Sequence, residues 1–127
     1  MILHDLTDLE RGVLDALLSG ENHVLEVLRK QLRNCRVRSR ELTGSGFFTE
    51  LQVDRGLPAA LTSAEMLRIG DVNAKISGLE HGAGFVLFVK DGFLEMLEGY
   101  SYEEPWPESV GEFELSYTGK SRSLESL

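Results

Sequence analysis

Phe85-Val86-Leu87-Phe88-Val89-Lys90-Asp91-Gly92-Phe93-Leu94-Glu95-Met96-Leu97-Glu98-Gly99 consists of two strand-forming runs joined by the pair Asp91-Gly92. A two-residue Asp-Gly loop favours the type I′ turn, whose positive φ angles match the right-handed twist of paired strands. The stretch therefore predicts an antiparallel hairpin. In the register that a two-residue loop sets, Val89 opposes Leu94, Leu87 opposes Met96 and Phe85 opposes Glu98 on one side. Phe88 then opposes Glu95 and Val86 opposes Leu97 on the other, which sends Glu95 and Glu98 to opposite faces. The run Phe85 to Lys90 is apolar on both faces, as expected of a central strand.

Working upstream, Leu67, Ile69, Val72, Ala74 and Ile76 read as a strand whose apolar parity switches at Gly70-Asp71, the mark of a bulge. Residues 54 to 66, with Gly56 and Pro58, read as a long connection. Before it, Phe47, Thr49, Leu51 and Val53 alternate with Phe48, Glu50 and Gln52, and Gly44-Ser45-Gly46 separates them from a run between Cys35 and Thr43. In that run Arg36, Arg38 and Arg40 share one face, against Val37, Ser39 and Glu41 on the other, so a basic stripe is expected on a second hairpin. Downstream, Pro105 and Pro107 around Trp106 stop the sheet, since proline cannot donate to a ladder. Phe113, Leu115 and Tyr117 alternate in a last short strand, and residues 119–127 read as a loosely ordered tail.

The N-terminal third has a helical period. Thr7 and Glu10 form a capping-box pattern, in which the hydroxyl takes a helical N–H and the carboxylate reaches back to the cap. Leu9, Val13, Leu14, Leu17 and Leu18 follow at helical spacing, and Ser19-Gly20 ends the helix. Val24, Leu25, Val27, Leu28 and Leu32 define a second helix after a connection short enough for a helical hairpin. The fold class is therefore α+β: an N-terminal helical hairpin packed on a mainly antiparallel sheet of five or six strands, its core near Phe47, Ile76, Leu87 and Met96. A chain of 127 residues predicts a single domain, 1–127.

Composition narrows function by exclusion. The single cysteine, Cys35, forbids an intrachain disulfide and multi-cysteine metal patterns, which fits a reducing, cytoplasmic location. No apolar run reaches the roughly 20 residues of a membrane span, and the start Met-Ile-Leu-His-Asp lacks the basic residues of a secretory signal. A net charge of −8 disfavours nucleic acid as a partner. Charge is also unevenly placed: six of the 13 basic residues fall between Arg29 and Arg40, whereas Asp91 to Glu114 holds eight acids and no base.

Two places carry chemistry worth testing. Tyr100, Tyr102 and Trp106, interleaved with Glu103 and Glu104, combine aromatics that have polar handles with acid, a composition favoured at protein interfaces. In the loop Gly78 to Gly84, Glu80 and His81 sit among glycines, where an imidazole at a pocket mouth could titrate near neutral pH. That loop lacks the G-K-[ST] ending of a phosphate loop, and no pattern for a metal or cofactor is present. Cys35 has no local signature of a nucleophile and reads as a small buried hydrophobe, while His4 and His23 read as surface or capping residues.

The segments Gly44-Ser45-Gly46-Phe47-Phe48-Thr49, Gly78 to Gly84 and Leu97 to Pro107 resemble small bacterial single-domain proteins, some of them similar to immunity proteins of bacterial toxin systems. The resemblance spans residues 5 to 117 and brings no catalytic motif. The run of acids without bases and the aromatics beside Pro105-Trp106-Pro107 point to a non-enzymatic protein-binding module whose acidic aromatic surface around Glu98 to Glu108 meets a partner with a basic surface, and the resemblance implies an immunity-like form of that module. Two further readings stand beside it: a small-molecule-binding protein or enzyme using His81 and Glu80, and a structural homodimer pairing basic and acidic segments.

Overall fold

The computed structural model describes residues 5–119, 122, 124, 126 and 127. In chain order the elements are α1 (Asp8–Leu17), α2 (His23–Leu32), β1 (Arg36–Leu42), β2 (Gly46–Gln52), β3 (Met66–Ile76), β4 (Ala83–Lys90), β5 (Phe93–Ser101) and β6 (Phe113–Tyr117). The strands form one antiparallel sheet in the order β1-β2-β5-β4-β3-β6. α1 begins at the expected capping box: Glu10 N–H donates to Thr7 Oγ1 at 3.1 Å and Thr7 N–H to Glu10 Oε1 at 2.8 Å. α2 is capped by Asn22, whose side-chain oxygen accepts from Val24 N–H at 2.8 Å. α1 packs over β3, β4 and β6, and α2 over β5. Their buried leucines and valines meet Phe85, Leu87, Leu94, Leu97 and Val72 in one core.

The Asp91-Gly92 turn forms as its sequence dictates, with φ of 51° and 82°. Lys90 pairs with Phe93 and Val89 with Leu94, but one extra residue then enters β5, so Phe88 pairs with Met96, Leu87 with Leu97 and Val86 with Glu98. The regular register is thus corrected beyond Leu94. A bulge occurs because Leu94 and Leu97, an odd three residues apart, are both fully buried. Met96, expected in the core, lies half-buried on the other face, and Glu98 shares that face with it. The bulge expected in β3 is present between Ile69 and Val72.

A third bulge changes β1. Val37 pairs with Leu51 and Ser39 with Glu50, leaving Arg38 as the extra residue. The stripe of three arginines is therefore corrected: Arg38 reaches Gln52 Oε1 at 2.7 Å, while Arg40 turns to the helical side and pairs with Glu10 at 2.6 Å.

Gln31, buried on α2, ties the loop-rich end together. Its amide donates to Gly92 O at 2.9 Å and Pro58 O at 3.1 Å, and its oxygen accepts from Leu94 N–H at 3.0 Å. Gln31→Leu leaves the Leu94 N–H buried without a partner, a loss of about 1–3 kcal/mol. Urea unfolding is expected to show it, and an unchanged midpoint would remove Gln31 as a structural link. Of the tail, residues 120, 121, 123 and 125 lie outside the described residues, as does His4. Arg122 pairs with Asp71 at 2.6 Å and donates to Leu17 O at 2.7 Å, while Leu124 and Leu127 pack against the core.

Candidate functional site

With both helices on one face, the other face of the sheet carries no helix. Strand pairing sets its residues in rows. Glu41, Phe48, Glu98 and Val86 lie side by side across β1, β2, β5 and β4. The next row runs Ser39, Glu50, Met96, Phe88 and Arg68. Phe48 and Met96 thus sit between Glu41, Glu98 and Glu50, and among the described residues none of these three carboxylates is in an ion pair. Glu50 accepts from Ser39 Oγ at 2.9 Å, and Arg68 lies 5.5 Å above the Phe88 ring at the far side of the patch.

The third row, Gly46, Tyr100, Gly84, Asn73 and Ser116, extends this face toward Tyr102. Tyr100 and Tyr102 meet edge to face at 5.6 Å above Gly84. A Cβ on Gly84 would lie 2.6 Å from the Tyr100 hydroxyl oxygen and 2.7 Å from that of Tyr102, so the pair rests on a position without a side chain. Tyr102 donates to Asn73 Oδ1 at 3.2 Å. Burial, then the neighbouring Tyr102, pushes the Tyr100 phenol above its ordinary range.

The acidic aromatic cluster expected from the sequence divides in three. Tyr100 and Tyr102 join the open face. Glu103 is exposed in a left-handed turn at φ 59°. Glu104 instead latches two loops: its carboxylate accepts the backbone N–H groups of Glu80 and His81, each at 2.8 Å, and these bonds hold its pKa below the ordinary carboxylate range. Glu80 and His81 are exposed beside Tyr102, along a groove of about 380 Å³ that also includes Asn73, Lys75 and Ser116. Trp106 turns to the helical side, where its N–H donates to Gly44 O at 2.7 Å through the backbone and its ring meets Phe47 at 5.3 Å. Prolines 105 and 107 set that turn, so the tryptophan and the tyrosines do not form one surface.

One polar centre goes beyond the residues singled out from sequence. Glu10, 2% exposed, accepts Nε of Arg40 at 2.9 Å, Nη2 of Arg40 at 2.6 Å, the Thr49 hydroxyl at 2.5 Å and Thr7 N–H at 2.8 Å. Burial alone would raise its pKa; the hydrogen bonds from Arg40, Thr49 and Thr7 outweigh burial and lower it. A sequence signal existed in Thr49, a lone hydroxyl in the apolar row Phe47, Leu51, Val53. Cys35 is buried and its thiol is pushed up to about 11 by that burial, so it stays protonated and unreactive at neutral pH. Among the described residues no cluster of histidine, cysteine and carboxylate could hold a metal, and no helix is long and apolar enough to cross a membrane. Compared with known protein families, curated proteins and solved structures, the chain matches none of them.

Proposed function

We propose that this protein is a non-enzymatic binding module that takes a basic protein partner on the open face of its sheet, centred on Phe48, Met96, Tyr100 and Tyr102. The observation that carries the reading is the ring of unpaired carboxylates, Glu41, Glu50 and Glu98, around half-buried apolar side chains. Apolar side chains supply contact area, and like-signed carboxylates beside them select a partner of opposite charge and raise its rate of encounter. An immunity-type role, in which the partner is a basic toxin, is the finer version of this reading and rests on the sequence resemblance.

The test compares affinity capture by the wild-type chain with capture by the Glu41→Lys, Glu50→Lys, Glu98→Lys variant. A control with equal charge change but on the helical side carries Asp15→Lys, Glu21→Lys and Glu26→Lys. A basic protein retained by wild type and control, bound at least about tenfold more weakly by the first variant and progressively lost as salt rises, supports the assignment. Equal capture by all three chains, or a bound partner with an acidic surface, overturns it.

A further inference from the structure

On the helical side, and separate from the open face, the first turn of α1, the end of β1 and the segment around Trp106 enclose a cavity of about 360 Å³. That volume falls within the ordinary range of small-molecule sites, about 300–1,000 Å³. Leu42, Phe47, Trp106 and Phe113 form its walls, and Thr7, Asp8, Glu10 and Arg40 contribute the polar part of its lining. The aromatic wall is already in place. Phe47 and Trp106 meet at an interplanar angle of 72°, and the Trp106 backbone is bonded to Gly44, so a ligand has little ordering to induce.

The polar groups select the ligand's charge. Glu10 spends both carboxylate oxygens on four hydrogen bonds and has no acceptor left for a cation. Arg40 uses Nε and Nη2 on Glu10, while its Nη1 has no hydrogen-bond partner among the described residues. The Glu10 and Arg40 charges cancel, which leaves exposed Asp8 as the net charge of the lining and disfavours an anion. Flat apolar walls, donors at Arg40 Nη1 and the Trp106 indole, and no uncompensated charge beyond the exposed, solvent-screened Asp8 together describe a neutral ligand.

We propose that this cavity binds a small, flat, uncharged aromatic molecule bearing a carbonyl acceptor, the ring against Trp106 and the acceptor toward Arg40 Nη1. Trp106 is the only tryptophan, so its indole N–H gives a single reporter signal. In the ¹⁵N-labelled full chain, titration with coumarin is expected to shift that signal saturably with a midpoint at or below about 1 mM, the range open to so small a ligand. Coumarin-3-carboxylate and N-methylquinolinium are expected to bind at least about tenfold more weakly, as anion and cation respectively. Nuclear Overhauser contacts from coumarin to the Leu42 methyls and Phe113 ring are expected in the same sample. Val110→Phe, at a half-buried lining position that packs on the edge of the core, fills the space and is expected to abolish the shift while the melting temperature and the rest of the ¹⁵N spectrum stay those of the folded chain. No saturable shift, equal shifts with all three probes, or a shift that survives Val110→Phe overturns the proposal.

Discussion

Arg40→Met is expected to destabilise the fold by about 3–5 kcal/mol, because it strands the Glu10 carboxylate in the core without its counter-charge. The wild-type pair has excellent geometry, with two contacts between guanidinium and carboxylate at 2.6 and 2.9 Å and Thr49 completing the shell. The variant also reverses the response to acid. In the wild type the folded pKa of Glu10 is depressed, so its stabilisation is complete above the unfolded value of about 4.3 and is lost as pH falls through the folded pKa. Without the Arg40 hydrogen bonds and charge, burial, the largest single influence on Glu10, is expected to outweigh the bonds from Thr49 and Thr7 and lift the folded pKa above the unfolded one. Acidification from neutral pH then relieves the variant, since protonation removes the stranded charge. Urea midpoints measured from about pH 7 down to about pH 4 are expected to converge as pH falls; parallel profiles would refute the role given to this pair. Adding Glu10→Gln to Arg40→Met is expected to recover most of the loss, since no charge is then left buried.

Gly92→Ala is expected to cost about 2–5 kcal/mol, the sum of a left-handed backbone penalty and a steric one. Gly92 has φ 82°, and a Cβ there would lie 2.3 Å from Ala60 O and 2.8 Å from Ala60 N. Both clashing atoms are backbone, so no rotamer change relieves them. The same glycine carbonyl accepts from Ala60 N–H at 2.8 Å and from Gln31 at 2.9 Å, which couples the hairpin turn to the 54–66 connection and to α2. Hydrogen exchange at Ala60 and Leu94 is therefore expected to accelerate along with the drop in melting temperature. Asp91→Asn is the matched control, because asparagine tolerates the φ of 51° at that position. Equal losses in the two variants would show that the close approach to Ala60 carries no energy.

Bulges show which parts of this fold were legible in the residues. At Gly70-Asp71 the apolar parity visibly switches, from Leu67 and Ile69 to Val72, Ala74 and Ile76, and the bulge lies there. In β5 the apolar Met96 continues the regular alternation from Leu94 and hides the choice of Leu97 for the core. In β1, Val37 is the only buried residue, so nothing local distinguishes a regular strand from one bulged at Arg38. Those two unreadable bulges decide which side chains meet at the candidate sites: one brings Glu98 onto the face of Met96, and the other sends Arg40 to Glu10.

Local patterns in the sequence alone determined the helix start at Thr7, the Asp91-Gly92 turn, the strand runs and the α+β class, because capping, φ preference and side-chain period act within a few residues. Tertiary structure alone decided which charged groups meet. Burial of Leu97 and Val37 selects the strand registers, and register sets Glu41, Glu50 and Glu98 around an open apolar patch. It likewise joins Glu10, Arg40 and Thr49, which come from three elements, and the rigid Pro105-Trp106-Pro107 turn parts Trp106 from the tyrosines. Charge contacts depend on distance in space, and core packing, which senses every strand at once, is what sets that distance.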